Sequence, residues 1–314
     1  MRIPLERYPY REVGKNMRNS PRPDVWRRAA ALCAACAVGA LLLVSCAGKK
    51  EAGSAPPAPA KMGAPTAEQW LERAAAAAGS MKKYAFEMQM SQELGPAGDS
   101  KRSDVRVDML GKAERDPLRL DQTITSVIDG EASTLRSIVT PEAYFMYLPE
   151  YEEWSRLSKE VAEENAATLS DFQINPERAI GRVRQLGEGL SAERSGNAIA
   201  VRYEGAGPEA KAFTAGLLKS TLGLTSSEEV IADELEVSRL KVAYYVDAEK
   251  HWPLSYRIET ELTVELEPGK KTPVKQTLGG TYSKPNATEA IVVPPEALEA
   301  PDPAEIEDLL DFGT

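Results

Sequence analysis

The chain has 314 residues, with 48 acidic against 38 basic side chains and a formal net charge of −10. Residues 1–45 hold eight of the basic and three of the acidic residues, so the remainder carries 30 and 45, a net of −15. A surface of that sign excludes nucleic acid as a partner, because neutralising phosphates needs clustered Lys and Arg, and anionic headgroups would repel it as well.

The chain opens with a basic flank, Arg22, Arg27 and Arg28, followed by small and apolar residues from Ala29 to Ser45. Seventeen residues at about 1.5 Å each span about 25 Å, short of the roughly 30 Å hydrocarbon core, so the run reads as a signal peptide rather than a span. Cys33 and Cys36 form a C-x-x-C, but inside this run they would be discarded with it. Leu43-Val44-Ser45-Cys46 then resembles a bacterial lipobox: an aliphatic residue, a tolerant position, a small residue and Cys. The resemblance implies a diacylglycerol on the Cys46 thiol, palmitate-type acylation, cleavage before Cys46, and a lipoprotein held on the extracytoplasmic face of the cell membrane. Two acyl chains suffice for stable anchoring. The alternative is an uncleaved anchor with an incidental Cys. The n-region is long, and either Met1 or Met17 can be the initiator. No Cys follows Cys46, so neither a disulfide nor a thiolate metal site is available.

Residues 46–65 form an acylated Cys and a tether rich in Ala, Gly and Pro, whose nineteen residues after Cys46 reach about 60 Å if extended. Thr66 and Gln69 make a capping box that predicts a helix over 67–82, with Trp70, Leu71, Ala74, Ala78 and Met81 as its buried stripe. Period two begins at Tyr84. Phe86, Met88 and Met90 alternate with polar residues, then Val105, Val107 and Met109, then Leu118, Leu120, Ile124 and Ile128. Asp129-Gly130 predicts a hairpin turn, followed by strands near 133–139 and 144–148 and a short partner opened by Trp154. This is an antiparallel meander with one apolar and one wet face.

The middle is helical. It holds a weak stretch over 159–169, a helix opened by Asn175-Pro176, a strand over 198–204, and a helix from Gly207-Pro208. Such helices between two runs of strands cover one face of the sheet, an α+β arrangement. The last third returns to strands. Leu240, Val242, Tyr244 and Val246 hold one parity while Leu235 and Val237 hold the other, which predicts a β-bulge near Ser238. A strand over 256–264 and its partner over 272–282 follow, then a short extended piece over 290–293. An acidic tail over 301–314 reads as loose.

Tyr282, Asn286, Ile291, Pro294 and Ala297 at their spacing, with Tyr84, Phe86 and Met88 after an opening helix and Tyr147 and Trp154 in mid-chain, resemble LolA/LppX-like lipoproteins of an uncharacterised subgroup. The resemblance covers residues 66–297, within a domain bounded at 66–300. It implies a strongly curved antiparallel sheet, an incomplete β-barrel, with helices covering its concave face. Its characterised members carry lipids or acylated proteins, and others sense envelope lipid stress.

No catalytic set is visible. His251 is the single His, and adjacent Glu152 and Glu153 would face opposite sides of a strand. No phosphate loop, calcium spacing or cofactor motif occurs. The group with a functional reading is Phe86, Met88, Met90, Met109, Tyr144 and Met146, since flexible Met suits surfaces that adapt to varied apolar ligands. Two readings stand side by side, ahead of a third, a hydrolase, for which no nucleophile–base set is visible. In one, a non-enzymatic carrier or sensor shelters a lipid or other hydrophobic ligand in a cavity lined by that group. In the other, an envelope scaffold has a packed core and binds a protein partner through its acidic surface or tail.

Overall fold

Thr66 Oγ1 accepts from the Gln69 backbone at 3.2 Å while Gln69 Oε1 accepts from the Thr66 backbone at 3.0 Å, and this reciprocal pair starts helix α1 (Ala67–Gly79). The computed structural model of the chain describes residues 64–96, 102–221, 233, 235–267 and 269–301. The signal peptide, Cys46 and the tether expected over 1–63 lie outside the described residues, as does the tail from 302.

After α1 come β1 (Lys83–Leu94), β2 (Ser103–Arg115), β3 (Leu118–Ile128), β4 (Glu131–Val139), β5 (Tyr144–Leu148) and β6 (Glu153–Leu157). Helices α2 (Lys159–Thr168), α3 (Asp171–Ile174) and α4 (Pro176–Arg184) follow, then β7 (Ser191–Ser195) and β8 (Ala198–Gly205). Helix α5 (Pro208–Thr221) leads to β9 (Leu235–Asp247), β10 (Pro253–Glu267), β11 (Lys270–Ser283) and a final turn of helix, α6 (Pro295–Leu298).

The strands form one antiparallel sheet in the order β6-β5-β4-β3-β2-β1-β11-β10-β9-β8-β7. Two meanders are joined by one long-range pairing, β1 against β11, from Ala85 opposite Ser283 to Leu94 opposite Val274. Strands β6 and β7 end the order without pairing to each other, so the fold is an α+β incomplete barrel with helices against its concave face. The hairpin turn at Asp129-Gly130 has φ of 52° and 91°, the pair of positive angles that a two-residue I′ turn requires. The bulge falls at Ser238. Glu261 pairs with Arg239 and Leu262 with Val237, and the skipped Ser238 donates its hydroxyl to the Glu261 carbonyl at 2.9 Å. The extra residue returns Val237 and Leu235 to the face of Leu240 and Val242.

Directly paired residues share a face. Register therefore lines up Tyr84, Phe86, Met88 and Met90 with Ala113, Gly111, Met109 and Val107 on one side, and Phe86 to Met90 with Tyr282, Gly280 and Leu278 on the other. This face is the inner one, and its centre is aromatic. Tyr84, Tyr244, Tyr256 and Tyr282 are buried, with Phe172 of α3 packed 4.8 Å from the Tyr256 ring. Tyr282 Oη donates to the Phe172 carbonyl at 2.6 Å and Tyr84 Oη to the Gln173 carbonyl at 2.9 Å. A helix as short as α3 leaves its carbonyls without intrahelical donors, and the two tyrosines supply them. Neither α3 nor β7 is legible in the sequence pattern.

The expected alternation of an apolar and a wet face fails at β4–β6. Ile138, Ala143 and Phe145 point outward and are buried under Ile291 and Ala297, with Trp154 and Val293 beside them. The short extended piece over 290–293 joins no strand of the sheet. It is a strap, tied by Ile291 N donating to Glu114 Oε1 at 2.9 Å and Arg119 donating to the Ile291 carbonyl at 3.3 Å. At its end the Pro301 carbonyl accepts from the Arg156 backbone at 3.2 Å.

Candidate functional site

The two halves of the inner face are covered unequally. Helix α1, with α4 beside it, packs over β7–β10, and α5 packs on β9. Over β4 and β5 lies α2, whose sequence KEVAEENAAT buries only Ala162. A helix that presents alanines and an asparagine cannot fill the space above a sheet of methionines. What remains is a groove of about 240 Å³. Its floor and walls are Met88, Met90, Met109, Ile124, Val139, Leu169 and Leu278. Gln122, Tyr144, Asn165, Thr168, Ser170, Gln173 and Thr221 make up the rest of the lining, so among the described residues no charged side chain faces the groove. Met90, Met109, Ile124 and Tyr144 keep partial exposure, which leaves it open on one side.

Register gives the groove a direction. Gln122 lies in the row of Phe86 and Gly111, Ile124 in the row of Met88 and Met109, and Met90 one row further. The polar end is built. Gln173 Nε2 donates to Gln122 Oε1, and Gln122 Nε2 donates to Ser137 Oγ at 3.2 Å. Burial pushes the Tyr144 hydroxyl above its usual pKa, partly offset by a hydrogen bond with Ser137.

Residues 66–302 match the model of a family described as "Family of unknown function (DUF6612)". The chain belongs to that family. No curated protein matches it. Among solved structures, this DUF6612 chain is similar to a LolA superfamily protein from Nitrosomonas europaea, at 10% identity over 73% of this chain and 96% of that one, with a TM-score of 0.22. A DUF1329 family protein from Desulfovibrio piger is similar at 10% identity, over 68% and 90%, TM-score 0.23. A β-barrel-like DUF1849 protein from Brucella abortus is similar at 8% identity, over 63% and 95%, TM-score 0.21. Likenesses at that level say nothing about ligand or activity.

Of the six side chains singled out in the sequence, the DUF6612 domain brings Met88, Met90, Met109 and Tyr144 together in the groove. Phe86 is 2% exposed and belongs to the core, its ring lying over Gly111. Met146 shares the inner face, paired with Ser137 and Ser155, but does not line the groove. Pattern reading missed Gln122, Gln173 and Asn165. A signal existed for one: Gln122 interrupts the apolar parity between Leu120 and Ile124 in β3.

A second hollow, about 420 Å³, lies on the outer face of β8–β10 among Arg202, Glu204, Lys241, Arg257 and Glu259. Its cations are engaged: Arg202 with Glu193 at 2.6 Å, Arg257 with Glu259 at 2.7 Å, and Lys241 with Glu204 at 3.6 Å. His251 sits in a left-handed turn, φ 62°, with its ring 5.7 Å from that of Trp70. Glu152 is an exposed turn residue, φ 54°, and Glu153 begins β6. Among the described residues no three His, Cys, Asp or Glu side chains converge as metal ligands, and no helix is long and apolar enough to cross a membrane.

Proposed function

We propose that this DUF6612 protein is a lipoprotein anchored through Cys46 on the extracytoplasmic face of the cell membrane, and that it carries or senses one hydrophobic chain without catalysing a reaction. The observation behind this reading is the uncharged, methionine-floored groove of about 240 Å³ between the sheet and α2. It is smaller than the roughly 300–1,000 Å³ of drug-sized sites. By proportion with the ~150 Å³ cavity that holds benzene, it takes about ten carbons, a single chain rather than a whole lipid. Methionine side chains adjust to chains of different shape. The sequence resemblance to LolA/LppX-like carriers points the same way, and a lipid tether would keep the groove close to its source of ligand.

The test is to recover the full-length protein from its native membrane and identify bound small molecules by mass spectrometry, beside a Met109→Trp variant that fills the groove. A chain bound to the wild type and lost from the folded variant supports the reading. A protein that emerges empty and takes up no medium-length chain favours the rival, a packed scaffold for an envelope partner. Anchoring is tested separately: palmitate label should enter the wild type and not Cys46→Ser.

A further inference from the structure

We infer that the groove is selective for the head of its ligand: it takes single-chain amphiphiles whose head is uncharged and hydrogen-bonding, and it discriminates against the same chain ending in a carboxylate or phosphate. This rests on the chain-binding reading above and goes beyond it by naming the ligand's polar end.

Three observations combine. Among the described residues no Lys, Arg, His, Asp or Glu lines the groove, so a charged head would be desolvated there without a counter-charge. The two amides at one end are fixed, Gln173 to Gln122 and Gln122 to Ser137 at 3.2 Å, and Gln122 and Gln173 are only 4% and 2% exposed. Tyr144 reaches the groove beside them, with Asn165 facing from α2. Such a set offers both donors and acceptors, which suits an ester, an amide or a glycerol hydroxyl and leaves an anion unneutralised. The polarity has a direction. The apolar residues continue from the Gln122 row to the Met90 row, four residues along the strands or about 13 Å, so the chain runs away from the amides.

The experiment uses the full-length, delipidated protein and displacement of the uncharged dye Nile red by ten-carbon compounds that differ only in the head. Monodecanoylglycerol is compared with decanoate and decyl phosphate at about pH 8. The neutral compound should displace the dye at a concentration at least about tenfold lower. The gap for decanoate should narrow near pH 4, where the carboxylate is largely protonated. Gln122→Leu and Tyr144→Phe, each checked for fold by circular dichroism, should reduce the gap to within about threefold, the gap being read against each variant's own dye affinity. Equal displacement by all three compounds overturns head selectivity, and a gap that both variants leave intact overturns its assignment to the Gln122 and Tyr144 end; either result leaves chain binding standing. Failure of every compound to displace, or of the dye to bind, overturns both.

Discussion

Asn286 Oδ1 accepts a hydrogen bond from the Lys82 backbone at 2.7 Å, across 204 residues of chain. Its Nδ2 donates to the Ser80 carbonyl at 3.0 Å and its own backbone N–H to the Lys83 carbonyl at 2.7 Å. The end of β11 is thus fastened to both sides of the junction between α1 and β1, where the two meanders meet. Asn286 holds φ at 58°, a left-handed conformation that Asn tolerates better than most residues.

Asn286→Ala removes the side-chain bonds to Lys82, Lys83 and Ser80 and adds a backbone penalty. These are solvent-exposed groups, so the expected loss is about 1–3 kcal/mol, read from the urea midpoint. Asn286→Gly loses the same bonds without the penalty, and should be milder by about 1 kcal/mol. Equal losses would show that the left-handed backbone carries no cost here.

Gly111 sits where β2 passes under Phe86. A Cβ there would lie 2.7 Å from Phe86 Cζ, 2.8 Å from the Asp121 carbonyl oxygen and 2.9 Å from Gln122 Cβ. The backbone oxygen cannot move aside as a side-chain tip can. Gly111→Ala should cost about 1–3 kcal/mol by overpacking. Gly181 in α4 is the contrast, with nothing within 4 Å of its added Cβ. Gly181→Ala should stabilise by about 0.5–1 kcal/mol, since helical Gly loses more backbone entropy than Ala. Thermal melts of the two variants should move in opposite directions.

How much of this was legible depended on how local the signal was. The capping box at Thr66, the Asn175-Pro176 start, the Asp129-Gly130 turn and the Ser238 bulge are each written within a few residues, and each stands where its chemistry places it. The pairing of β1 with β11 is not local: alternation fixes which side chains share a face, but not which strand lies alongside. The strap over β4–β6 had a partial signal, because Phe145, Tyr147 and Trp154 make the supposed wet face aromatic. Methionine parity pointed to the floor of the groove. The groove exists because α2 above it is too slight to fill it, and a weak helix in sequence does not say what it leaves open. Its polar end required knowing that α3 brings Gln173 against Gln122, and four residues of helix carry no periodic signal.

The tyrosine cluster makes stability depend on alkaline pH. Burial raises Tyr84, Tyr244, Tyr256 and Tyr282 far above the ordinary tyrosine value near 10. Above about pH 10 the unfolded chain releases these protons while the folded chain keeps them, so the folded state binds more protons and stability falls as pH rises. The contribution is complete below the unfolded value and is lost progressively above it. Four such groups give a slope approaching about 5 kcal/mol per pH unit at its steepest. A pH titration should show phenolate absorbance rising in two stages, the second coinciding with loss of ellipticity. Replacing Tyr244 with Phe should make the dependence shallower.

The last prediction concerns the strap. Ile291 is 2% exposed and closes the outer core over Ile138 and Phe145, while its backbone holds Glu114 and Arg119. Ile291→Ala keeps those backbone bonds and deletes buried carbons, at a cost of about 2–4 kcal/mol. Trp154 packs against this cluster with the Arg136 guanidinium 5.6 Å from its ring centroid, so its emission should shift to the red as water enters. Removal of residues 289–314 is a different perturbation. It uncovers a contiguous apolar face on β4–β6, and exposed patches of that kind drive association. The truncated chain should self-associate in sedimentation velocity while Ile291→Ala remains in the state of the wild type. The inner face is untouched by either change, so Nile red bound in the groove should report the same affinity in the folded Ile291→Ala protein. If that affinity falls together with stability, the two faces of the sheet are coupled through β4 and β5, and the strap would govern the groove as well as the fold.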